Sequence, residues 1–337
     1  MKKMDCRNEK IDVLKGIAIL LVVIGHSVCE VYDSKTFNTN IIFKFCYSFH
    51  MPLFFYISGY LVGMKDVYTN EWIKRKFKTL MIPYFFWTLV HIFIGYNVNI
   101  MYAFFVTPIY WYLINLFLYD CITWFSNKIK YSFLFELLIY LTICIIYIFE
   151  KNNLVLKNII LFVVFYLAGK YISKFKIDIL TFKMTKASVI LFPISLILFT
   201  YKEYDKYVTY LVKVTGIDQR WLFKGAMYFY NHVIVAFLGI LFCLIMVDLA
   251  KRYHVKSRVW KSLIYLGRVT LPIYILHEYF FLKYEANILY MLFSILISIF
   301  ISVLIYEVCS LFLPRICVII FGNKSNLIKN KCIIGRK

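Results

Sequence analysis

Ten apolar runs of bilayer-spanning length follow one another along the 337-residue chain, at about 12–31, 41–64, 79–97, 105–125, 131–149, 154–172, 186–201, 226–249, 262–282 and 287–313. About 20 mostly apolar residues in an α-helix cross the roughly 30 Å of membrane hydrocarbon. Lipid offers no partner to a backbone N–H or C=O, so each run is predicted to be a helix that satisfies its own polar groups. Composition agrees: 62% of residues are hydrophobic and 17% charged, with 33 Phe and 29 Tyr. Soluble domains carry about 45–50% apolar and about 25% charged residues. A soluble core, a disordered chain and a small disulfide scaffold are excluded. The expected architecture is all-α, a polytopic integral membrane bundle of about ten transmembrane helices. Residues 12–313 form the membrane domain, 1–11 a cytoplasmic N-terminal tail and 314–337 a basic cytoplasmic C-terminal tail.

Charge sets the orientation. The net charge is +21. With the N-terminus inside, 27 of the 39 Lys and Arg residues fall on the cytoplasmic side and 10 on the other. This asymmetry places both termini in the cytoplasm. The basic residues lie between spans rather than on one face, so lipid and not nucleic acid is the expected partner. Lys2, Lys3, Arg7 and Lys10 precede the first run and no small-residue cleavage site follows it, which reads as a retained signal anchor. The nine cysteines are scattered without a CxxC and read as small membrane hydrophobes. Cys29 and Cys46 are the one pair considered for a disulfide, near a common outer surface.

Ionisable groups inside spans cost roughly 2.5–3.5 kcal/mol at mid-bilayer and need a reason to be there. Lys15 and His26 stand eleven residues apart in the first run. Eleven residues make almost three turns, so both share one helix face about 16 Å apart. The second run carries His50 beside Pro52, which is expected to bend the helix, and then Ser58 and Gly59. The ninth run carries Arg268, Pro272, Tyr274 and His277, with Tyr274 and His277 on one face. At 1.5 Å per residue His26 and His277 reach similar depth, about 21 and 22 Å along their spans. Arg268 is expected to pair with an acid or line a wet cavity, and Asp120 to pair with a cation. Trp111, Tyr112 and Asn115 are candidates for a pocket lining. His91 and His232 read as structural. No metal is expected, because the histidines lack ligand-like spacing along the chain.

Taken in order, these segments resemble the membrane acyltransferase-3 family, and within it a branch similar to fucose 4-O-acetylases and other glycan O-acetyltransferases. The resemblance runs from Arg7-Asn8-Glu9-Lys10-Ile11-Asp12 through Lys15-Gly16 to Gly25-His26. It continues with Phe49-His50-Met51-Pro52-Leu53-Phe54-Phe55 and Ser58-Gly59-Tyr60, then the basic run before Leu80-Met81-Ile82-Pro83-Tyr84. Trp111-Tyr112-Leu113 and the late Leu266-Gly267 to Tyr274-Ile275-Leu276-His277 complete it. The resemblance implies a ten-helix catalytic core, an acyl-CoA donor (usually acetyl-CoA) taken from the cytoplasm, and a carbohydrate hydroxyl as acceptor. Many members carry Arg where this chain has Lys15, which keeps the charge and loses the bidentate fork. The chain ends soon after the tenth run, so no fused extracellular domain is expected.

On this reading His26 is the general base that takes the acceptor hydroxyl proton, or the nucleophile of an acyl-His intermediate. His50 and His277 are its catalytic neighbours, orienting it, binding the acceptor or donating to the oxyanion, and Lys15, counted with them, extends the attraction for the donor inward together with Arg268. Lys74, Arg75, Lys76, Lys78 and Arg268 are the candidates for donor phosphates. Trp111, Tyr274 and Ser58 are assigned to the acceptor, a carbohydrate either free or lipid-linked. A lipid-linked glycan flippase or a glycan polymerase also needs intramembrane charge, and stands as the competing class.

Overall fold

In the computed structural model, residues 8–32, 36–94, 100–106, 108–150, 152–201, 209, 213, 219–253, 258–282 and 287–322 are described. All regular structure among them is helical. Each of the ten apolar runs carries helix. Among the described residues five helices are long and apolar enough to cross a membrane: Glu9–Val31, Ile41–Gly63, Leu154–Lys174, Leu222–Arg252 and Ile288–Phe312. A bent pair, Arg258–Arg268 with Thr270–Phe280, makes a sixth if it is one span. The protein is a multi-pass membrane protein. Helix Ser132–Phe149 exposes Leu134, Leu137, Leu138, Leu141 and Ile145. Helix Ile288–Phe312 exposes Leu289, Leu292, Phe293, Leu296, Phe300 and Leu304 while burying Ser294, Ser298 and Ser302. Apolar faces outward and hydroxyls inward fit lipid as the surrounding solvent. Both ends of the proposed tails, 1–7 and 323–337, lie outside the described residues, as does most of the long connection 202–225.

The chain forms two compact units. The first comprises Met1–Ile57, Lys176–Thr270 and Leu276–Ile299; the second comprises Ser58–Phe175, Leu271–Ile275 and Phe300–Lys337.

In the first unit helix α1 (Glu9–Val31) packs along Arg258–Arg268. Two glycines let the backbones touch. A Cβ at Gly16 would collide with the Leu263 carbonyl, and one at Gly267 with that of Asp12. The Asp12 carboxylate takes Arg268 Nε at 3.2 Å at the same crossing, the acid partner expected for that arginine. Lys10 and Arg252 both reach Asp248, at 2.5 and 2.6 Å, tying the start of α1 to Val235–Arg252. Helix α2 (Ile41–Gly63) continues through Pro52 without interruption. The ninth run does break: one helix stops at Arg268, the next spans Thr270–Leu276, and a 3-10 turn covers His277–Phe280, with a 71° bend. Pro272 has no N–H for the Arg268 carbonyl four residues back, and its ring crowds that carbonyl. The single straight span expected for 262–282, with Tyr274 and His277 on one α-helical face, is therefore corrected. Cys29 and Cys46 do not form the disulfide considered for them; each is a thiol, and Cys29 Sγ lies 3.0 Å from the Tyr47 hydroxyl.

In the second unit Gly59 and Gly63, one turn apart, admit the backbone of Leu154–Lys174 at the Tyr166 and Lys170 carbonyls. This is the small-xxx-small packing of membrane helices. Helix Asn70–Lys76 runs through a π turn, Phe77–Met81, into Ile82–Phe93. Pro83 explains the π turn, since it leaves the Thr79 carbonyl without its helical donor. Gly322, in the left-handed conformation at φ 63°, closes on that carbonyl from the end of Pro314–Phe321. The segment expected to begin the C-terminal tail is thus a docked helix, and Trp87 Nε1 donates to Ile320 O at 2.8 Å.

Candidate active site

The first unit assembles an imidazole pair and a carboxylate. His26 projects from α1, and His277 and Glu278 open the 3-10 turn after the break. The break matters here because it presents two consecutive polar side chains where a straight helix would turn one of them aside. His26 Nδ1 is 2.8 Å from Glu278 Oε1 and 3.3 Å from His277 Nε2. A hydrogen on Nδ1 serves both acceptors and leaves the Nε2 lone pair of His26 available to a substrate. His277 is 1% exposed, and its backbone carbonyl accepts from Ser298 Oγ at 2.7 Å, which pins the turn. The side chains of His26 and Glu278 are 29% and 46% exposed, so the pair is reachable.

The other catalytic candidates stand differently. His50 is buried and its Nδ1 donates to the Cys46 carbonyl at 2.7 Å. It reaches the cluster through Tyr47, whose ring is 5.0 Å from His50 and 6.3 Å from His26. Lys15 is half-buried on α1. Arg268, a donor-phosphate candidate, directs Nε at Asp12.

The acceptor candidates fall in the second unit. Ser58 Oγ lies 3.0 Å from the Tyr112 hydroxyl, and the Tyr112 and Tyr274 rings are 5.7 Å apart. Tyr110 flanks Tyr274 at 6.3 Å. Trp111 stacks on Phe162 at 5.3 Å. The donor candidates divide. Lys74 and Arg75 are exposed, each with a contact to Glu71, and Lys78 is exposed. Lys76 instead pairs with the buried Asp120 at 2.9 Å, the cation expected for that acid. Asp120 also accepts from the Tyr166 hydroxyl at 3.1 Å. Beside it Lys170 pairs with Glu136, which further accepts from Ser126 at 2.6 Å and Tyr171 at 3.0 Å. Just outside the spans the Tyr68 phenol is pushed up to about 12, mainly by burial and further by the charges of Glu136, Asp120 and Asp66.

Glu278, Tyr47, Glu136 and the burial of Lys170 were not legible as a site from the chain. Glu278 and Glu136 are acids within or beside apolar runs, and that exception alone was the available signal. The lack of metal-ligand spacing along the chain did not anticipate the cluster either, because 251 residues separate His26 from His277. His26, His277 and Glu278 each offer one ligand atom, all within 4.8 Å of one another.

Known proteins bear on this arrangement. Two curated relatives are similar over part of the chain. The nodulation protein NolL of Sinorhizobium fredii is 40% identical over 85 residues, covering 24% of this chain and 23% of its own. The NolL of Mesorhizobium japonicum is 37% identical over 86 residues, with the same coverage. The match thus spans about a quarter of each relative. No solved structure matches. The acyltransferase-3 family, described as an acyltransferase domain, matches residues 8–307. That range takes in both glycine contacts of α1, the imidazole pair and its carboxylate, and the chain belongs to the acyltransferase-3 family.

Proposed function

We propose that the protein moves an acetyl or other acyl group from cytoplasmic acyl-CoA to a hydroxyl of a cell-envelope carbohydrate. The observation that carries this reading is the His26–Glu278 contact in an acyltransferase-family chain. Glu278 fixes the His26 tautomer and stabilises the imidazolium that forms when the ring takes a proton. His26 Nε2 accepts the acceptor hydroxyl proton as that oxygen attacks the thioester carbonyl. The carbon–oxygen bond forms, the carbon–sulfur bond breaks, and the same Nε2 returns the proton to the departing thiolate. His277 and His50 hold the ring's surroundings. Ser58, Tyr274 and Trp111 bind the sugar, whose polar edges suit hydroxyls and whose apolar faces suit aromatic rings. Lys74, Arg75 and Lys78, with Lys15 deeper, attract the donor's phosphates. Lys76 supports that basic turn from below through Asp120.

The reading includes ten spans with both termini in the cytoplasm, in an inner membrane of bacterial type. On this reading Asn70–Phe93, its three helical pieces counted as one rod, supplies one of the ten spans. The decisive experiment uses the purified chain in liposomes with labelled acetyl-CoA and a panel of envelope glycans. Label on glycan in the wild type and none in His26→Ala supports the proposal. Glycan movement without label transfer indicates a flippase and refutes it.

A further inference from the structure

We infer that His26, His277 and Glu278 also bind a divalent transition-metal ion of the Zn²⁺ class, and that the ion silences His26 as a base. The ligand set is two imidazoles and one carboxylate, with their ligand atoms within 4.8 Å of one another. His26 Nδ1 and His277 Nε2 are 3.3 Å apart. Two ligands held at 2.0–2.1 Å on a tetrahedral ion are separated by about 3.3–3.4 Å, so the imidazoles stand near the required spacing. Nitrogen and oxygen donors of this kind suit Zn²⁺ better than Ca²⁺ or Mg²⁺, which prefer all-oxygen shells. Three protein ligands leave a fourth position for water. Two neutral imidazoles and one carboxylate give the site a charge of −1, favourable to a cation. His277 is fixed through Ser298 and Glu278 is 46% exposed, so one ligand is rigid and one can adjust.

The consequence follows from the ring's two nitrogens. In the base role the hydrogen sits on Nδ1 and the lone pair on Nε2. An ion at Nδ1 takes that nitrogen's lone pair, so the hydrogen moves to Nε2 with no net loss of a proton. The ring then presents N–H where the acceptor hydroxyl needs a lone pair. Ion binding and proton abstraction are mutually exclusive at one imidazole. The inhibition clause rests on the function proposed above; the binding clause does not.

The test uses the full chain, purified in detergent without a polyhistidine tag, and Zn²⁺ alone in a calorimetric titration, with Co²⁺ absorption as a second probe. One equivalent per chain and a tetrahedral Co²⁺ spectrum are expected. Glu278→Gln and His277→Gln, each eluting as the wild type does, should weaken binding at least tenfold. Absent stoichiometric binding, or binding unchanged in both variants, overturns the site. Acyl transfer measured separately should fall with the same half-saturating Zn²⁺ and return on chelation; saturation without inhibition overturns the silencing. Binding is read with neither donor nor acceptor present, so a failure of the proposed acyl transfer leaves that result standing.

Discussion

Lys170→Met strands Glu136 in a place that excludes water. Both side chains are almost fully buried, at 4% and 1% exposure. Breaking a buried pair by removing one partner costs about 3–5 kcal/mol, because the remaining charge loses its compensation. Glu136 keeps its bonds from Ser126 and Tyr171, which places the expected cost at the lower end, about 3 kcal/mol. At about 2–4 °C per kcal/mol for a domain of 150–250 residues, the apparent melting temperature in detergent should fall by roughly 6–12 °C. The double variant Lys170→Met/Glu136→Leu removes both charges and strands only the Tyr171 hydroxyl, at about 1 kcal/mol, because Ser126 keeps its bond to the Thr123 carbonyl. It should recover at least half of the loss. Fluorescence-detected size exclusion after heating reads all three proteins. A single variant as stable as the wild type, or a double variant worse than the single, would refute the argument.

Other outcomes are expected of the same structure. His26→Ala should abolish acyl transfer while membrane insertion and elution stay as in the wild type, read by labelled acetyl-CoA. Glu278→Gln removes a charge-assisted bond worth about 1.5–3 kcal/mol, so kcat should fall about 10–100-fold with little change in KM. Gly267→Ala drives a methyl group into the Asp12 carbonyl and should destabilise the first unit by about 1–3 kcal/mol or more, whereas Gly225→Ala, with nothing within 4 Å, should not destabilise. Neutralising Lys74, Arg75 and Lys78 together should raise the KM for acyl-CoA at low salt, and the difference should shrink as salt rises.

The helices and the separate polar positions were legible because lipid imposes a rule that each segment obeys alone. A run of apolar residues must be helical whatever its neighbours do, and an acid or imidazole within it stands out against that background. Arg268 needing an acid and Asp120 needing a cation were legible for the same reason, as was His26. Which acid and which cation were not, since Asp12 and Lys76 are chosen by helix crossings that no local pattern records. Glu278 lies inside the ninth run but close to its end, where a charge is less exceptional than at mid-span. Lys170 was counted with the cytoplasmic bases because its burial depends on Glu136, 34 residues away.

Sequence alone thus determined helical class, membrane residence and the residue types that carry chemistry, since each follows from the cost of exposing a group to hydrocarbon. Tertiary structure alone decided partners. Pro272 breaks the ninth run, the break delivers His277 and Glu278 as adjacent side chains, and glycines at Gly16 and Gly267 let α1 come close enough for Asp12 to meet Arg268. Those contacts depend on distances between segments some 250 residues apart, and a one-dimensional pattern contains no such distance.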